Sequence, residues 1–290
     1  MNKMLDSIEP KFKSPHWTLT VLVYGVAFLM INVGFEFIMM IIASFVVIPD
    51  VVYMFTSFIF MSTASFLVIM IFEKSKLNLR FGFETEGIFK KYMLGYGLGA
   101  LLIVLSAAPI MMFFTSTLEI ANPIPYKSIL IFFIFFLIQG ASEEIYVRGM
   151  IFPIIVKYSR PIWGLVLTSG FFSALHLLNP GVNVVSIVNL FLAGVLFGYC
   201  VLYFDSLWQA CALHSAWNFV QGNVLGFEVS GLSINSLANV QVAGGDLFTG
   251  AKFGVEGSIF ALIVLGIAIA IFHVLTTRKG INVFAKTIQN

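Results

Sequence analysis

Long apolar runs, separated by short polar segments, dominate the chain. Crossing the hydrocarbon core of a bilayer takes ~20 apolar residues in a helix. Candidate runs lie at about 17–47, 51–73, 92–116, 127–157, 161–178, 182–204, 207–221 and 258–276. This pattern predicts an all-α, polytopic integral membrane bundle of about eight transmembrane helices. We expect one membrane domain over residues 1–290, because no soluble segment or internal repeat is visible.

Composition supports this class and excludes others. Hydrophobic residues make up 59% of the chain and charged residues only 10%. A net charge of +2 is too small to indicate a nucleic-acid partner. The two cysteines, Cys200 and Cys211, lie at or near membrane depth, where they are better interpreted as small core residues than as a disulfide or zinc pair.

The distribution of basic residues orients the bundle, because Lys and Arg concentrate in cytoplasmic loops. With the N-terminus inside, the cytoplasmic segments hold Lys3, Lys11, Lys13, Lys74, Lys76, Arg80, Lys90, Lys91, Lys157, Arg160, Arg278, Lys279 and Lys286. The outer loops hold only Lys127 and Lys252. We therefore expect both termini in the cytoplasm. We also expect the bundle to lie in a bacterial plasma membrane. The outer loop 222–257 is too long for a simple connector, and we expect a partly ordered cap over an outward cavity.

Three ionisable residues that lie close together at membrane depth form the first motif: Glu143, Glu144 and Arg148. A charge at the bilayer centre costs at least ~3 kcal/mol on insertion scales, so such residues are rarely without a role. On a helix, Glu144 and Arg148 have the spacing and order of an ion pair, whereas Glu143 points about 100° away. The pattern predicts a structural pair beside a free carboxylate that can act as a general base. A purely structural network of all three is the alternative.

His176 lies one helical turn after Phe172, on the same face. By itself it could be a satisfied core histidine. The runs 127–157 and 161–178 are joined by a short segment with Pro161 opening the second helix, which predicts an antiparallel hairpin. Glu143 and His176 are nearly equally far from this turn, so they should lie at one depth. At that level they could share a water or a metal ion.

A third polar pair, His214 and Asn218, again lies on one helical face. Both side chains can donate hydrogen bonds, which suits an oxyanion hole for a tetrahedral intermediate. The alternatives are a metal ligand for His214 and a packing hydrogen bond for Asn218. Counted from Asp205, His214 should lie shallower than Glu143, unless its helix begins inside the bundle.

Together the three motifs resemble the CPBP family of intramembrane proteases, which includes the CAAX proteases and bacteriocin-processing enzymes and is also called Abi. The resemblance covers about residues 125–222, which would form the catalytic core. It implies that Glu143 activates the attacking water and that His176 helps to hold it. It also implies that His214 and Asn218 stabilise the oxyanion. Supporting residues would be Glu144, Arg148 and Phe172.

The implied activity is hydrolysis of a peptide bond in a membrane-associated or prenylated substrate. The expected partners are the lipid bilayer and a peptide or membrane-protein substrate. Family members are commonly named metalloproteases, and Glu143, His176 and His214 could supply the three ligands of a catalytic Zn²⁺. No helix here carries the His-Glu-x-x-His pairing typical of zinc proteases, however. A zinc mechanism and a metal-free glutamate mechanism both remain open, and the sequence slightly favours a metal-optional description.

Two other classes of function fit the same residues. A catalytically silent scaffold or a bacteriocin-immunity protein would use the same fold. A proton or ion carrier would also place acids and histidines in the membrane, and Glu36 is an acid that the protease interpretation does not use. We favour a hydrogen bond from Asn32 or a neighbouring helix as the role of Glu36.

Overall fold

The computed structural model describes residues 17–74 and 82–285, most of them helical. The α-helices are α1 (Trp17–Ala43), α2 (Asp50–Lys74), α3 (Ile88–Phe113), α4 (Tyr126–Glu144), α5 (Phe152–Tyr158), α6 (Pro161–Leu175), α7 (Val184–Phe204), α8 (Trp208–Phe219), α9 (Asp246–Thr249) and α10 (Ile259–Arg278). A π-helical segment, Ile145–Ile151, joins α4 to α5 without a break. A second one, Val220–Val224, extends α8.

Five helical stretches in the described part of the chain are long and apolar enough to cross a membrane. They are Asp50–Leu67, Ile88–Phe113, Tyr126–Tyr158, Val184–Phe204 and Ile259–Arg278. The chain is therefore an integral membrane protein, as its hydropathy predicts.

The prediction of eight crossings is not confirmed. All eight predicted runs contain helix, but Pro161–Leu175 is a shorter apolar helix. Helix α8 has only 12 residues before its backbone changes to π-helix.

The fold is mostly helical, as predicted, with one small sheet that the sequence does not predict. Strand β1 (Thr115–Ile120) pairs antiparallel with strand β2 (Ala238–Val242), with Leu118 opposite Val240. Most of β1 is exposed, and β2 lies within a loop rich in glycine, so neither shows the clear apolar alternation of a half-buried strand. This two-stranded sheet ties the long loop 222–257 to the connection between α3 and α4.

Connecting segments meet on two opposite ends of the bundle. At one end, the sheet is accompanied by a hydrogen bond of 3.1 Å from Asn179 Nδ2 to the carbonyl of Ser230. At the other end, the amide of Leu207 donates to the carbonyl of Gly82, over 3.0 Å. This grouping follows the alternation expected of the loops, whereas the cytoplasmic location of the second end stays a prediction. Lys3, Lys11, Lys13, Lys76, Arg80 and Lys286 lie outside the described residues.

Helix α8 occupies the centre of the bundle, against α3 and α4. Gly95 and Gly99 of α3 face the backbone of α8, where an added Cβ would overlap Gln209 and Leu213. Gly97 of the same helix has open space instead. Small residues therefore allow α3 to approach α8 closely, as in other membrane bundles.

This contact predicts opposite outcomes for two matched substitutions. Gly99→Ala should lower the thermal stability of the purified protein, because overpacking costs about 1–3 kcal/mol. Gly97→Ala should leave it unchanged or raise it, since Ala is up to about 1 kcal/mol better than Gly in a helix. Melting curves in one detergent compare the two variants, and equal destabilisation would contradict the close approach at Gly99.

Candidate active site

A continuous helix, Tyr126–Tyr158, carries the acidic motif near its middle. Glu143 and Glu144 end α4, and the π-helical segment begins at the next residue. Within it the amide of Phe152 donates to the carbonyl of Val147, five residues earlier. π-Helical turns are frequent at functional sites, because they change the direction of the side chains that follow.

Glu144 and Arg148 form the ion pair expected from their spacing. Arg148 Nη1 lies 3.1 Å from Glu144 Oε1, and both side chains are fully buried. The guanidinium carbon of Arg148 also lies 4.7 Å from the ring centre of Phe172 and 5.3 Å from that of Phe197. These rings cover the face of the cation, which an apolar interior would otherwise leave unsolvated.

Glu144 also binds His214. The same oxygen, Oε1, lies 3.1 Å from His214 Nδ1. Because a carboxylate only accepts, Nδ1 carries a proton, and Nε2 of a neutral imidazole is an acceptor. His214 can therefore donate to an oxyanion only when it is protonated on both nitrogens. The three charges of Glu143, Glu144 and Arg148 sum to −1, which a protonated His214 would balance.

The expectation that His214 lies shallower than Glu143 is wrong. His214 Nε2 lies 4.0 Å from Glu143 Oε2, so the two residues are at one level. The helix α8 begins within the protein, after the fully buried Ser206 and Leu207. Counting residues from the preceding loop therefore underestimates the depth of His214.

Glu143 is not free of partners, contrary to the sequence interpretation. Gln139 Nε2 donates to Glu143 Oε1 over 2.5 Å, and Gln139 Oε1 accepts from Asn218 Nδ2 over 2.8 Å. Glu143 Oε2, by contrast, is buried and has no hydrogen-bond partner among the described residues. One oxygen is thus anchored and the other is available. Sequence reasoning missed Gln139, although it is a polar residue one turn before Glu143 in an apolar helix.

His176 ends α6 and faces the same site. Its Nδ1 lies 2.9 Å from the backbone carbonyl of Phe172. A carbonyl can only accept, so Nδ1 donates and Nε2 of the neutral ring is left as an acceptor. The hairpin of α5 and α6 brings His176 to the cavity that Glu143 lines, as the distances from the turn predict.

A cavity of about 300 Å³ joins these groups. Glu143, His176, His214 and Asn218 line it together with aromatic and aliphatic side chains, among them Phe58, Phe135, Phe136, Phe197 and Trp217. Residues 229–232 and Glu256, from the long loop 222–257, also line it. Part of this loop, here called the cap, therefore lies against the cavity, and the outward location of the cap stays a prediction.

Glu256 is a second buried acid at this cavity, and sequence reasoning missed it. Its Oε2 accepts from the amide of Ser230 over 2.9 Å and from the hydroxyl of Ser230 over 2.6 Å. Burial raises the pKa of the Glu256 carboxyl above its ordinary value, against the opposing effect of the Ser230 hydrogen bonds. Its position in a glycine-rich loop conceals it, since no helical spacing links it to the other motifs.

The arrangement of the residues present does not fit the possible zinc site that the sequence leaves open. Among the described residues, no group of three or more His, Cys, Asp or Glu side chains could hold a metal ion. Glu143, His176 and His214 therefore do not form a ready ligand set. Oε2 of Glu143, Nε2 of His214 and Nε2 of His176 line one cavity and have the chemistry of zinc ligands, but they are not grouped closely enough to hold the ion as they stand.

Other polar groups at membrane depth have structural roles. The hydroxyl of Tyr53 in α2 donates to Glu36, which confirms a hydrogen bond to a neighbouring helix. Cys200 and Cys211 are buried free thiols. These residues therefore give no support to a second site.

Comparison with known proteins links the site to a family. Residues 125–220 match the family model described as Type II CAAX prenyl endopeptidase Rce1-like. The matched segment runs from the start of α4 to the end of α8, and it contains Glu143, His176, His214 and Asn218. The chain matches no curated protein and no solved structure.

The buried ion pair predicts a rescue. Arg148→Met should strand the Glu144 carboxylate and lower the free energy of unfolding by about 3–5 kcal/mol. The double variant Glu144→Gln with Arg148→Met should recover part of this loss, because the Gln carbonyl can still accept from His214. Thermal melts of both single variants and the double measure the coupling. If the double variant is less stable than either single, Glu144 and Arg148 are not partners.

Proposed function

We propose that the chain is an intramembrane endopeptidase of the CPBP family of CAAX proteases, which the match of residues 125–220 to the Rce1-like family model supports. Its substrate would be a membrane-associated or prenylated peptide segment that enters the cavity from the bilayer or its surface. Residues 125–222 would be the catalytic core, in a bacterial plasma membrane with both chain termini in the cytoplasm.

The observation that carries this proposal is the gap between Glu143 Oε2 and His214 Nε2. The two atoms lie 4.0 Å apart, and Oε2 has no hydrogen-bond partner in the described part of the chain. A water that donates to Glu143 Oε2 and accepts from a protonated His214 Nε2, with both hydrogen bonds about 2.8 Å long at a roughly tetrahedral angle, spans about 4.5 Å and keeps its second hydrogen for His176. The gap is thus close to what a single water would bridge, beside a carboxylate able to take its proton.

In the proposed reaction, Glu143 removes a proton from this water as the oxygen attacks the peptide carbonyl carbon. His176 Nε2, as an acceptor, would help to orient the water. Glu143 then returns the proton to the leaving nitrogen as the carbon–nitrogen bond breaks. The Gln139 hydrogen bond holds the other oxygen of Glu143, so the base keeps one orientation during both transfers.

Asn218 and His214 are the candidates for stabilising the oxyanion. Asn218 Nδ2 uses one hydrogen on Gln139, which leaves its second hydrogen for the developing charge. His214 would contribute as an imidazolium, with Glu144 holding Nδ1 and Nε2 turned to the cavity. Donors held in a dry cavity act strongly, because little water competes for the oxyanion.

Glu143→Gln tests the function directly. The variant should fold normally and lose about 10²–10⁴-fold in turnover, the usual effect of removing a general base. Peptides released from membranes that contain either the wild type or the variant can be compared by mass spectrometry. Glu119→Gln is the matched control, since Glu119 is an exposed carboxyl on β1. Release of the same peptides by Glu143→Gln would reject Glu143 as the base.

Lack of any Glu143-dependent peptide, with a partner membrane protein co-purifying, would instead favour the scaffold function. Proton or ion conductance of the protein in liposomes would favour a carrier.

Two histidine variants separate the roles of His176 and His214. His176→Ala should be nearly as inactive as Glu143→Gln, because it removes the acceptor that orients the water. His214→Gln keeps a donor and should retain measurable activity, since removing one oxyanion donor entirely costs about 10²–10³ in rate. Stoichiometric zinc in the purified wild type that disappears in all three variants would overturn this assignment and support a zinc-dependent protease.

A further inference from the structure

The outer part of the cavity contains a buried hydrogen-bond acceptor whose orientation is fixed. Asn189 of α7 is only 2% exposed, and its Nδ2 donates to the carbonyls of Glu256 and Ser258, each over 2.8 Å. The amide cannot be reversed, because two carbonyls could not donate to its oxygen. Asn189 Oδ1 is consequently an acceptor, and within the described structure it has no hydrogen-bond partner.

Glu256 adds a carboxylate to the same cavity. Its backbone carbonyl is held by Asn189, and its Oε2 by Ser230, so the side chain has a defined position. A carboxylate can accept about four hydrogen bonds, and Ser230 supplies two of them. Glu256 therefore keeps capacity for a further donor.

Nothing in the cavity wall supplies that donor as a permanent cation. Among the described residues that line the cavity, the titratable groups are Glu143, Glu256, His176 and His214, and none is Lys or Arg. Arg148 lies behind the wall, paired with Glu144. His176 and His214 act electrostatically on Glu256, but they are cations only when protonated. The buried carboxyl and the unsatisfied amide oxygen thus share a cavity that has no permanent positive group to satisfy them.

We propose that Asn189 and Glu256 form a subsite for a basic side chain of the substrate, a Lys or an Arg. This inference rests on the proposed protease function and specifies its substrate class. Because the subsite lies in the cavity that Glu143 also lines, the basic residue belongs to the segment that is cleaved. The cavity lining offers no Lys or Arg that could pair with a free terminal carboxylate of a substrate. Such a carboxylate would instead meet the acidic side chains of Glu143 and Glu256, which disfavours its entry.

Mapped cleavage sites test the subsite. Peptides whose release depends on Glu143 define the cut positions, and Lys or Arg should be enriched at one fixed position near them. Synthetic peptide pairs that carry Lys or Gln at that position are then cleaved by the protein in liposomes. The wild type should prefer the Lys peptide by about tenfold or more, as expected for a hydrogen bond to a charged group. Glu256→Gln should reduce this ratio to near one.

Glu228→Gln is the control, because Glu228 belongs to the same cap but does not line the cavity. It removes the same charge and should keep the preference for the Lys peptide. If Glu256→Gln does not fold, the ratio of Lys-peptide cleavage to Gln-peptide cleavage by the wild type still tests the subsite. Mapped sites without a basic residue, or equal cleavage of both peptides by the wild type, would overturn the subsite. Lack of any Glu143-dependent cleavage would instead reject the proposed function.

Discussion

Glu144 Oε1 is the atom around which the site is assembled. It accepts from Arg148 on the same helix and from His214 on α8, over 3.1 Å in both cases. An unpaired charge in an apolar interior would be strongly destabilising, so the carboxylate has to meet both partners at once. Phe172 and Phe197, from α6 and α7, cover the guanidinium of Arg148. These contacts fix α4, α6, α7 and α8 relative to one another.

This arrangement divides two consecutive carboxylates between two tasks. Consecutive residues of a helix point about 100° apart, so Glu144 can face the interior while Glu143 lines the cavity. Glu144 fixes the proton on Nδ1 of His214 and turns Nε2 towards Glu143. The chain Asn218–Gln139–Glu143 then orients the second carboxylate. Gln139 thus holds one oxygen of Glu143, and His214 lies near the other oxygen. Neither residue is the proposed base.

The cap supplies part of the cavity lining, so the cavity extends beyond the proposed catalytic residues. Pairing of β1 with β2 anchors the long loop, and the Ser230 hydrogen bonds place Glu256 at the cavity. The resulting lining is apolar with a few polar groups, which is typical of a binding site. Glu256 of the cap and Asn189 of α7 would complement a basic side chain of the proposed substrate, while the proposed base, Glu143, lies in the membrane-spanning helix Tyr126–Tyr158.

Local patterns in the sequence determined the membrane class, the positions of the helices and the pair of Glu144 with Arg148. Hydropathy and four-residue spacing act within one segment, so the sequence alone is sufficient for them. The presence of His176 and Glu143 at one cavity also followed from one short hairpin.

Contacts between distant segments required the tertiary structure. The depth of His214, the Gln139 hydrogen bonds and the pairing of β1 with β2 depend on where separate segments meet. The spacing of Glu143, His176 and His214, which form no ready zinc ligand set among the described residues, depends on these contacts as well. Glu256 reaches the cavity only because its loop folds back over the bundle. No periodicity in the sequence encodes the approach of Glu256 to the cavity, since this approach depends on the packing of the whole bundle.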